Sequence, residues 1–182
     1  DPNFSEYENY NNNTDWPNAV TKHGFTHDHN ISLTGGGEKA IFRISCGYYT
    51  HTGSVIKQTL ERFSTRRALD YYVSQRIKVM TDFSLTYTNN DQNYSGLLGV
   101  AQKIMPNMSI YAQDPLTGAN TNDYYIMLQS VSTIFQGNQL GYTNPVAVGN
   151  LAWSKVKTYN ITPQIQMEYK LLGVSDDETQ LT

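Results

Sequence analysis

The chain has 182 residues, of which 16% are charged and 12% are aromatic, and its formal net charge is −3 at pH 7. A net negative charge without a basic cluster argues against nucleic acid and against an anionic membrane surface as partners. Sparse charge together with 14 tyrosines is typical of β-rich extracellular, lectin-like or barrel proteins rather than of cytosolic enzymes.

The first two predicted strands, 25–34 and 39–50, form a hairpin around the glycines at 35–37. Apolar and polar residues alternate along both segments, and this period of two is typical of half-buried strands. We expect the glycines to supply the positive φ angles of a tight hairpin turn. Cys46, the only cysteine, lies on the apolar side of its strand, which predicts a buried and inert thiol and excludes an internal disulfide.

A second hairpin is predicted from strands 60–73 and 77–88, because only residues 74–76 separate them. The connections between the four strands are short at 35–38, longer at 51–58 and short again at 74–76. This alternation is typical of transmembrane β-barrels, in which long outer loops alternate with short periplasmic turns.

Two side-chain pairs on these strands could carry chemistry. His27 and His29 point to the same side of a strand, but a zinc site needs three or four ligands, so we interpret them as an exposed pair. Asp70 and Asp82 could flank a glycosidic bond; we expect them instead to pair with cations of the same face, namely Arg43, Arg62, Arg66 or Lys78. The pattern therefore predicts no catalytic residue, no metal ligand and no cofactor.

The strand period is lost over 89–158, which predicts one long loop. Helical spacing inside this loop predicts one or two short helices, one formed by Leu97, Leu98, Ala101, Ile104 and Met105 and one by Leu128, Val131 and Phe135. The residue types at 114–118 predict a turn. Upstream, Trp16 is expected to anchor a polar N-terminal segment. The chain contains no run of about 18 apolar residues, so no membrane-spanning helix is predicted.

Regular alternation returns at 159–171, the fifth predicted strand. Pro163 within it cannot donate to a strand ladder, so this strand should lie at an edge or contain a bulge. The predicted fold is therefore all-β: an antiparallel meander of about five strands from a transmembrane β-barrel, with a long loop that carries one or two short helices.

Short motifs in a specific order resemble the start of the barrel in SusC/RagA-type TonB-dependent outer-membrane transporters. They extend from residue 14 to residue 172 and comprise Thr14-Asp15-Trp16, His29 to Leu33 with Gly35-Gly36, Phe42 to Ser45 with Gly47-Tyr48, Gly53, Arg62-Phe63-Ser64 with Arg66, Leu69-Asp70, Pro106, Ile110-Tyr111, Asp114, Gly118, Asn144-Pro145 and Glu168-Tyr169-Lys170.

The resemblance implies a Gram-negative outer-membrane barrel of about 22 strands, closed by a plug, that imports oligosaccharides or peptides with energy from TonB. It also implies a SusD-like surface lipoprotein as partner. On this interpretation the loop 89–158 is extracellular and is the part that meets the lipoprotein or the substrate. The residues expected to contact a ligand or partner are Tyr111, Tyr124, Tyr125, Tyr142 and Trp153.

The chain also departs from the family, since it contains no plug and too few strands to close a barrel. It resembles a mature or excised segment that is not transport-competent alone. An open sheet has two unpaired edges that invite self-association. Outside lipid, the apolar residues of one face would need a cover, and these are Phe42, Ile44, Phe83, Leu85 and Ile165.

A soluble carbohydrate-binding β-sandwich is the alternative prediction, because tyrosines and tryptophans among asparagines can stack on sugars and hydrogen-bond with them. The two predictions differ in what covers the apolar faces. A sandwich needs a second sheet, and the middle third of the chain does not show strands for it.

Overall fold

The computed structural model describes residues 6–94, 96–127 and 142–171. Its fold is mostly antiparallel sheet with few short helices, which confirms the predicted all-β class. The strands of the described part are β1 Phe25–Gly36, β2 Ala40–Thr52, β3 Thr59–Tyr72, β4 Ile77–Gln92, β5 Tyr111–Gln113, β6 Asn120–Tyr124 and β7 Ser154–Tyr169. The described helices are a 3-10 helix at Glu8–Tyr10 and the α-helices α1 Trp16–Ala19, α2 Leu97–Ala101 and α3 Pro145–Leu151.

The larger sheet is the predicted meander of five strands, in the order β1-β2-β3-β4-β7. Its edges are therefore β1 and β7. Pro163 lies within β7, an edge strand of this sheet, and edge strands are where proline is usually tolerated. This placement confirms the prediction that the strand containing Pro163 lies at an edge.

The turn between β1 and β2 is closed by a hydrogen bond that the Gly37 N–H donates to the Ala40 carbonyl at 2.8 Å. None of its glycines has a positive φ, so the predicted reason for glycine here is wrong. Close approach is the reason instead. A Cβ atom on Gly36 would lie 2.6 Å from the Ala40 carbonyl oxygen, and one on Gly35 would lie 2.7 Å from the Phe42 ring.

The apolar face of this sheet is exposed. Ile165 is 78% exposed, and Phe42 and Phe83 are exposed as well. The prediction that Cys46 is buried is wrong: its thiol is exposed, with Sγ 3.6 Å from the Thr65 hydroxyl. Phe42 and Tyr48 on the same side of β2 are exposed as well, so the thiol has no buried core around it.

The opposite face of the sheet is polar and carries ion pairs. The guanidinium of Arg66 binds both carboxylate oxygens of Asp82, and the Lys78 ammonium lies 3.0 Å from the carboxylate of Asp70. These contacts confirm the prediction that both aspartates pair with cations of their own face.

The chain divides into two compact units. The first unit comprises Asp1–Phe25, Thr52–Thr59 and Asp91–Lys155, and the second comprises Thr26–His51, Leu60–Asn90 and Val156–Thr182. The second unit contains most of the five-stranded sheet.

The buried core lies in the first unit and is centred on Trp16, as predicted for this anchor. The carboxylate of Asp15 caps α1 by accepting a hydrogen bond from the Asn18 N–H at 3.1 Å. The indole Nε1–H of Trp16 donates to the Met105 carbonyl at 2.8 Å. Its neighbours in the core are Val20, Ala101, Ile104, Met108, Tyr125 and Val146.

The first predicted loop helix forms as α2, and Ala101 and Ile104 from this segment enter the core. The second predicted loop helix, at Leu128, Val131 and Phe135, lies outside the described residues. A feature that the sequence pattern did not predict is the small β5–β6 hairpin, in which Tyr111 pairs with Tyr124.

The predicted turn at 114–118 connects β5 and β6. The Asp114 carboxylate accepts hydrogen bonds from the N–H groups of Leu116 at 2.8 Å and of Thr117 at 2.9 Å, while Gly118 takes a φ of +67°. The two backbone N–H donors favour the ionised carboxylate and hold the pKa of Asp114 below its ordinary value of 3.8.

This lowered pKa predicts a pH-dependent difference between the native protein and Asp114→Asn. The native carboxylate should stabilise the turn above pH 3.8, and this contribution should disappear as the pH falls through the lower folded-state pKa. The asparagine amide accepts the same hydrogen bonds but cannot titrate. Urea midpoints measured across a pH series check this, and a difference that stays constant with pH would contradict it.

Candidate functional site

A cluster of ligating side chains would be needed for a metal site. No cluster of three or more His, Cys, Asp or Glu side chains suited to a metal is present in 6–94, 96–127 and 142–171. The rings of His27 and His29 stack on each other with centroids 6.2 Å apart. None of the described helices is both long and apolar enough to cross a membrane. Aromatic and cationic side chains provide a candidate binding surface instead.

Two of the predicted contact residues form a pair. Tyr111 and Tyr124 lie opposite each other on β5 and β6, and their rings stack with centroids 5.2 Å apart and an interplanar angle of 19°. Both side chains are half-buried, and Tyr124 packs against the core. The pair stiffens the hairpin as a cross-strand aromatic contact.

Tyr125, the next residue along the chain, lies in the core and is 4% exposed. Its hydroxyl donates to the Tyr10 hydroxyl at 3.1 Å, and the two rings meet edge to face. Burial raises the pKa of Tyr125 well above its ordinary value, because the phenolate would lose its hydration. Tyr125 thus presents no ring surface for a ligand.

The remaining two predicted contact residues, Tyr142 and Trp153, belong to other segments than the β5–β6 tyrosines. Tyr142 is half-buried just ahead of the α3 N-cap Asn144. Trp153 occupies the junction where α3 has ended and β7 begins, and it is 82% exposed. Of the five predicted residues, Trp153 therefore presents the largest free aromatic surface.

Trp153 lines a groove of about 420 Å³ in the first unit, hereafter the Trp153 groove. Its wall combines cationic, amide and hydroxyl side chains with one carboxylate, namely Lys22, Lys57, Thr59, Asp91, Gln92, Asn150, Ser154 and Lys155. A concave surface with an aromatic side chain and a few polar groups is the usual form of a small-ligand site.

Backbone hydrogen bonds hold two of the lysines at this groove. The Lys22 N–H donates to the Ser54 carbonyl at 2.8 Å, and the Ile56 N–H donates to the Val20 carbonyl at 3.0 Å. The turn that carries Lys57 is closed by the Gly53 N–H, which donates to the Gln58 carbonyl at 3.0 Å. The segments that contain Lys22 and Lys57 are thereby tied together.

Of the three lysines at the groove, one forms an ion pair within the described ranges. Lys155 lies 3.2 Å from the carboxylate of Asp91. Lys22 and Lys57 make no ion pair within the described ranges. The wall therefore offers two ammonium groups to an incoming anion.

Of the residues that line this groove, Trp153 is predicted from the sequence, whereas Lys22, Lys57 and Asn150 are not. Nothing in their local pattern signals a site, because these residues belong to separate segments that only the folded chain brings together. In the folded chain, Lys57 has a φ of +58°, which is uncommon for a residue other than glycine.

A second depression lies on the polar face of the sheet in the second unit and has a volume of about 300 Å³. Hydroxyl side chains dominate it, among them Ser32, Ser45, Ser64 and Ser84. Gly47 permits this depression, since a Cβ there would lie 2.6 Å from Asn30 Oδ1 and 2.8 Å from Ser64 Oγ.

Comparison with known proteins relates the chain to TonB-dependent receptors. It is 25% identical to the TonB-dependent receptor SusC of Bacteroides thetaiotaomicron over an alignment of 176 residues that covers 90% of this chain and 17% of SusC. Two TonB-dependent receptors of Formosa agariphila are 29% identical over 56% of the chain and 31% identical over 37% of it. These matches cover 10% and 7% of the two receptors, so the chain spans a small part of the relatives' length. No protein-family model matches the chain.

Proposed function

We propose that this chain is a segment of a TonB-dependent outer-membrane transporter that imports oligosaccharides or peptides together with a SusD-like surface lipoprotein. The observation that carries the proposal is the five-stranded meander with one ion-paired polar face and one exposed apolar face. The similarity to SusC over 90% of the chain supports it.

The length of the strands favours a membrane sheet. The five strands of the meander have 12, 13, 14, 16 and 16 residues. A strand that crosses a bilayer at a tilt needs about 9–11 residues, whereas strands of soluble proteins have most often about 5–6. Every strand of this sheet is therefore long enough to cross the hydrocarbon layer.

Tyrosines on the apolar face form two belts of the kind that flank the lipid-facing band of a membrane barrel. One belt comprises Tyr48, Tyr87 and Tyr159, of which the last two have ring centroids 4.8 Å apart. The other comprises Tyr71, near the end of β3, and Tyr169, at the end of β7. Tyr169 follows Tyr159 by ten positions in β7. Ten residues of extended chain span roughly 33 Å. At a strand tilt of about 40°, this length corresponds to a membrane band about 25 Å thick.

The polar face then lines the interior of the barrel, and the segment between β4 and β7 is an extracellular loop. The two belts would lie at the two membrane–water interfaces, where a tyrosine buries its ring and keeps its hydroxyl hydrated. TonB, the lipoprotein and the imported nutrient belong to the complete transporter as its partners.

The alternative, a soluble carbohydrate-binding β-sandwich, has less support. The second sheet of the described part has only two strands, of three and five residues. A sandwich requires two sheets of similar extent whose inner faces pack together.

Fractionation of the source cells tests the proposal, with an antibody raised against this chain as the probe. We expect a band several times heavier than 20.6 kDa, confined to the outer membrane. Known outer-membrane and soluble proteins from the same cells serve as fractionation controls. A soluble band near 20.6 kDa would overturn the proposal and favour a free-standing binding domain.

A further inference from the structure

The Trp153 groove has an excess of positive charge and an exposed indole ring. Three lysines and one aspartate line it, although the whole chain has a net charge of −3. Asp91 pairs with Lys155, which leaves the ammonium groups of Lys22 and Lys57 without an ion pair inside the described ranges. The groove is thus a local cationic site in an acidic chain, and it suits an anionic ligand.

The exposed indole indicates which kind of anion fits. The chain has two tryptophans, of which Trp16 is 1% exposed and Trp153 is 82% exposed. An indole in water forgoes the free energy of burial, and its flat face can stack on the apolar face of a sugar ring. Stacking on Trp153 would recover that burial when a ligand binds.

The remaining wall of the groove is suited to hydroxyl groups. The Nδ2 of Asn150 donates to the Val146 carbonyl at 3.0 Å, so its Oδ1 stays available as an acceptor. Gln92, Thr59 and Ser154 add further donors and acceptors. A saccharide presents hydroxyls in every direction around its ring and can use such a wall.

The backbone of Lys57 adds an independent observation. Its φ of +58° lies in the left-handed region, which is unfavourable for a residue with a side chain because its Cβ comes too close to the following carbonyl oxygen. Glycine would adopt the same conformation without this cost. Strain of this kind is concentrated at functional sites, so a strained lysine at a groove suggests a role for its ammonium group.

We propose that the Trp153 groove binds an acidic saccharide, with a sugar ring stacked on Trp153 and a carboxylate or sulfate group paired with Lys22 and Lys57. This inference rests on the proposed function, since it names the chemical class of the cargo that the transporter segment meets. It also selects oligosaccharides over peptides as that cargo.

The test measures binding of the native protein, purified from outer membranes in detergent, to immobilised oligosaccharides. The probes are oligogalacturonates beside their carboxyl-reduced forms, and sulfated galactan oligosaccharides beside their desulfated forms. In each pair the sugar backbone is the same, and a neutral hydroxyl or hydroxymethyl group replaces the anionic group. We expect about tenfold tighter binding to the acidic member of at least one pair, and a smaller preference at raised salt.

Two variants separate the parts of the site. Lys57→Gly relieves the backbone strain and should keep or raise thermal stability, while it weakens binding of the acidic member and leaves the neutral member unchanged. Trp153→Ala should weaken binding of both members, because ring stacking does not depend on charge. Lys39→Gly, which removes an exposed lysine outside the groove, and Leu116→Ala, which removes an exposed apolar side chain outside it, are the matched controls.

Equal binding of both members in every pair, or no binding to any probe, would overturn the inference. The same holds if Lys57→Gly binds acidic probes as tightly as the native protein does. Fractionation is scored separately on the same cells. Outer-membrane localisation without a preference for acidic probes removes only this inference, whereas a soluble protein of 20.6 kDa removes the transporter proposal.

Discussion

Replacing Trp16 with alanine is expected to lower the free energy of unfolding of the first unit by about 3–5 kcal/mol. The indole is 1% exposed at the centre of the core, so its removal leaves a large cavity among Val20, Met108 and their neighbours. The Met105 carbonyl would also lose the hydrogen bond that it accepts from Nε1. Chemical denaturation followed by near-UV circular dichroism measures the effect.

Trp153→Ala is the matched control, because it makes the same substitution at the other tryptophan of the chain. Its side chain is 82% exposed, so we expect a change within about 0.5 kcal/mol. Trp16→Phe should lie between the two variants, since a phenyl ring fills part of the cavity but cannot donate to Met105. Equal losses for Trp16→Ala and Trp153→Ala would contradict the assignment of Trp16 to the core.

Asn144→Ala is expected to destabilise the same unit by about 2–5 kcal/mol. The side chain is 3% exposed and makes four hydrogen bonds. Its Oδ1 accepts from the N–H groups of Val146 and Ala147 at 3.1 and 3.2 Å and so caps α3. Its Nδ2 donates to the carbonyls of Ile110 and Tyr125 at 2.7 and 3.1 Å. Alanine would leave all four backbone groups without this partner.

Asn150→Ala, in the same helix, is the control for this prediction. Asn150 is exposed and makes one described side-chain hydrogen bond, to the Val146 carbonyl, so we expect a loss of about 1 kcal/mol or less. Thermal unfolding of both variants at one pH and detergent concentration provides the comparison. A loss for Asn144→Ala no larger than that for Asn150→Ala would show that the cap and the two donated bonds contribute little.

Asn144 also explains how the first unit is held together. It joins the start of α3 to the segments that carry Ile110 and Tyr125, and these segments flank the β5–β6 hairpin. One buried amide thereby connects elements that have few apolar residues of their own. An asparagine-rich segment predicts a loop, yet Asn144 is a buried residue that stabilises the fold.

The tyrosines illustrate why composition alone could not locate the site. Tyr124 and Tyr125 are neighbours in extended chain, so their side chains leave the backbone in opposite directions. Tyr124 stacks on Tyr111, whereas Tyr125 enters the core and bonds to Tyr10. Which of the two is buried depends on the side on which the core lies, and that information is not local.

The sequence by itself determined the elements whose causes are local. A period of two in apolar residues indicated the long strands, the residue types at 114–118 indicated the turn closed by Asp114, and Pro163 indicated an edge strand. These signals act over a few residues, because side-chain alternation, side-chain capping of the backbone and a missing N–H are properties of the segment itself.

Only the tertiary structure decided which faces are covered and which distant residues meet. Alternation placed Cys46 on an apolar face, but the exposure of that face depends on contacts from elsewhere. Likewise, Lys22, Lys57 and Trp153 line one groove because backbone pairing and helix packing bring three separate segments together. Such contacts are non-local, and the free energy of the whole fold, rather than the pattern of any one segment, selects them.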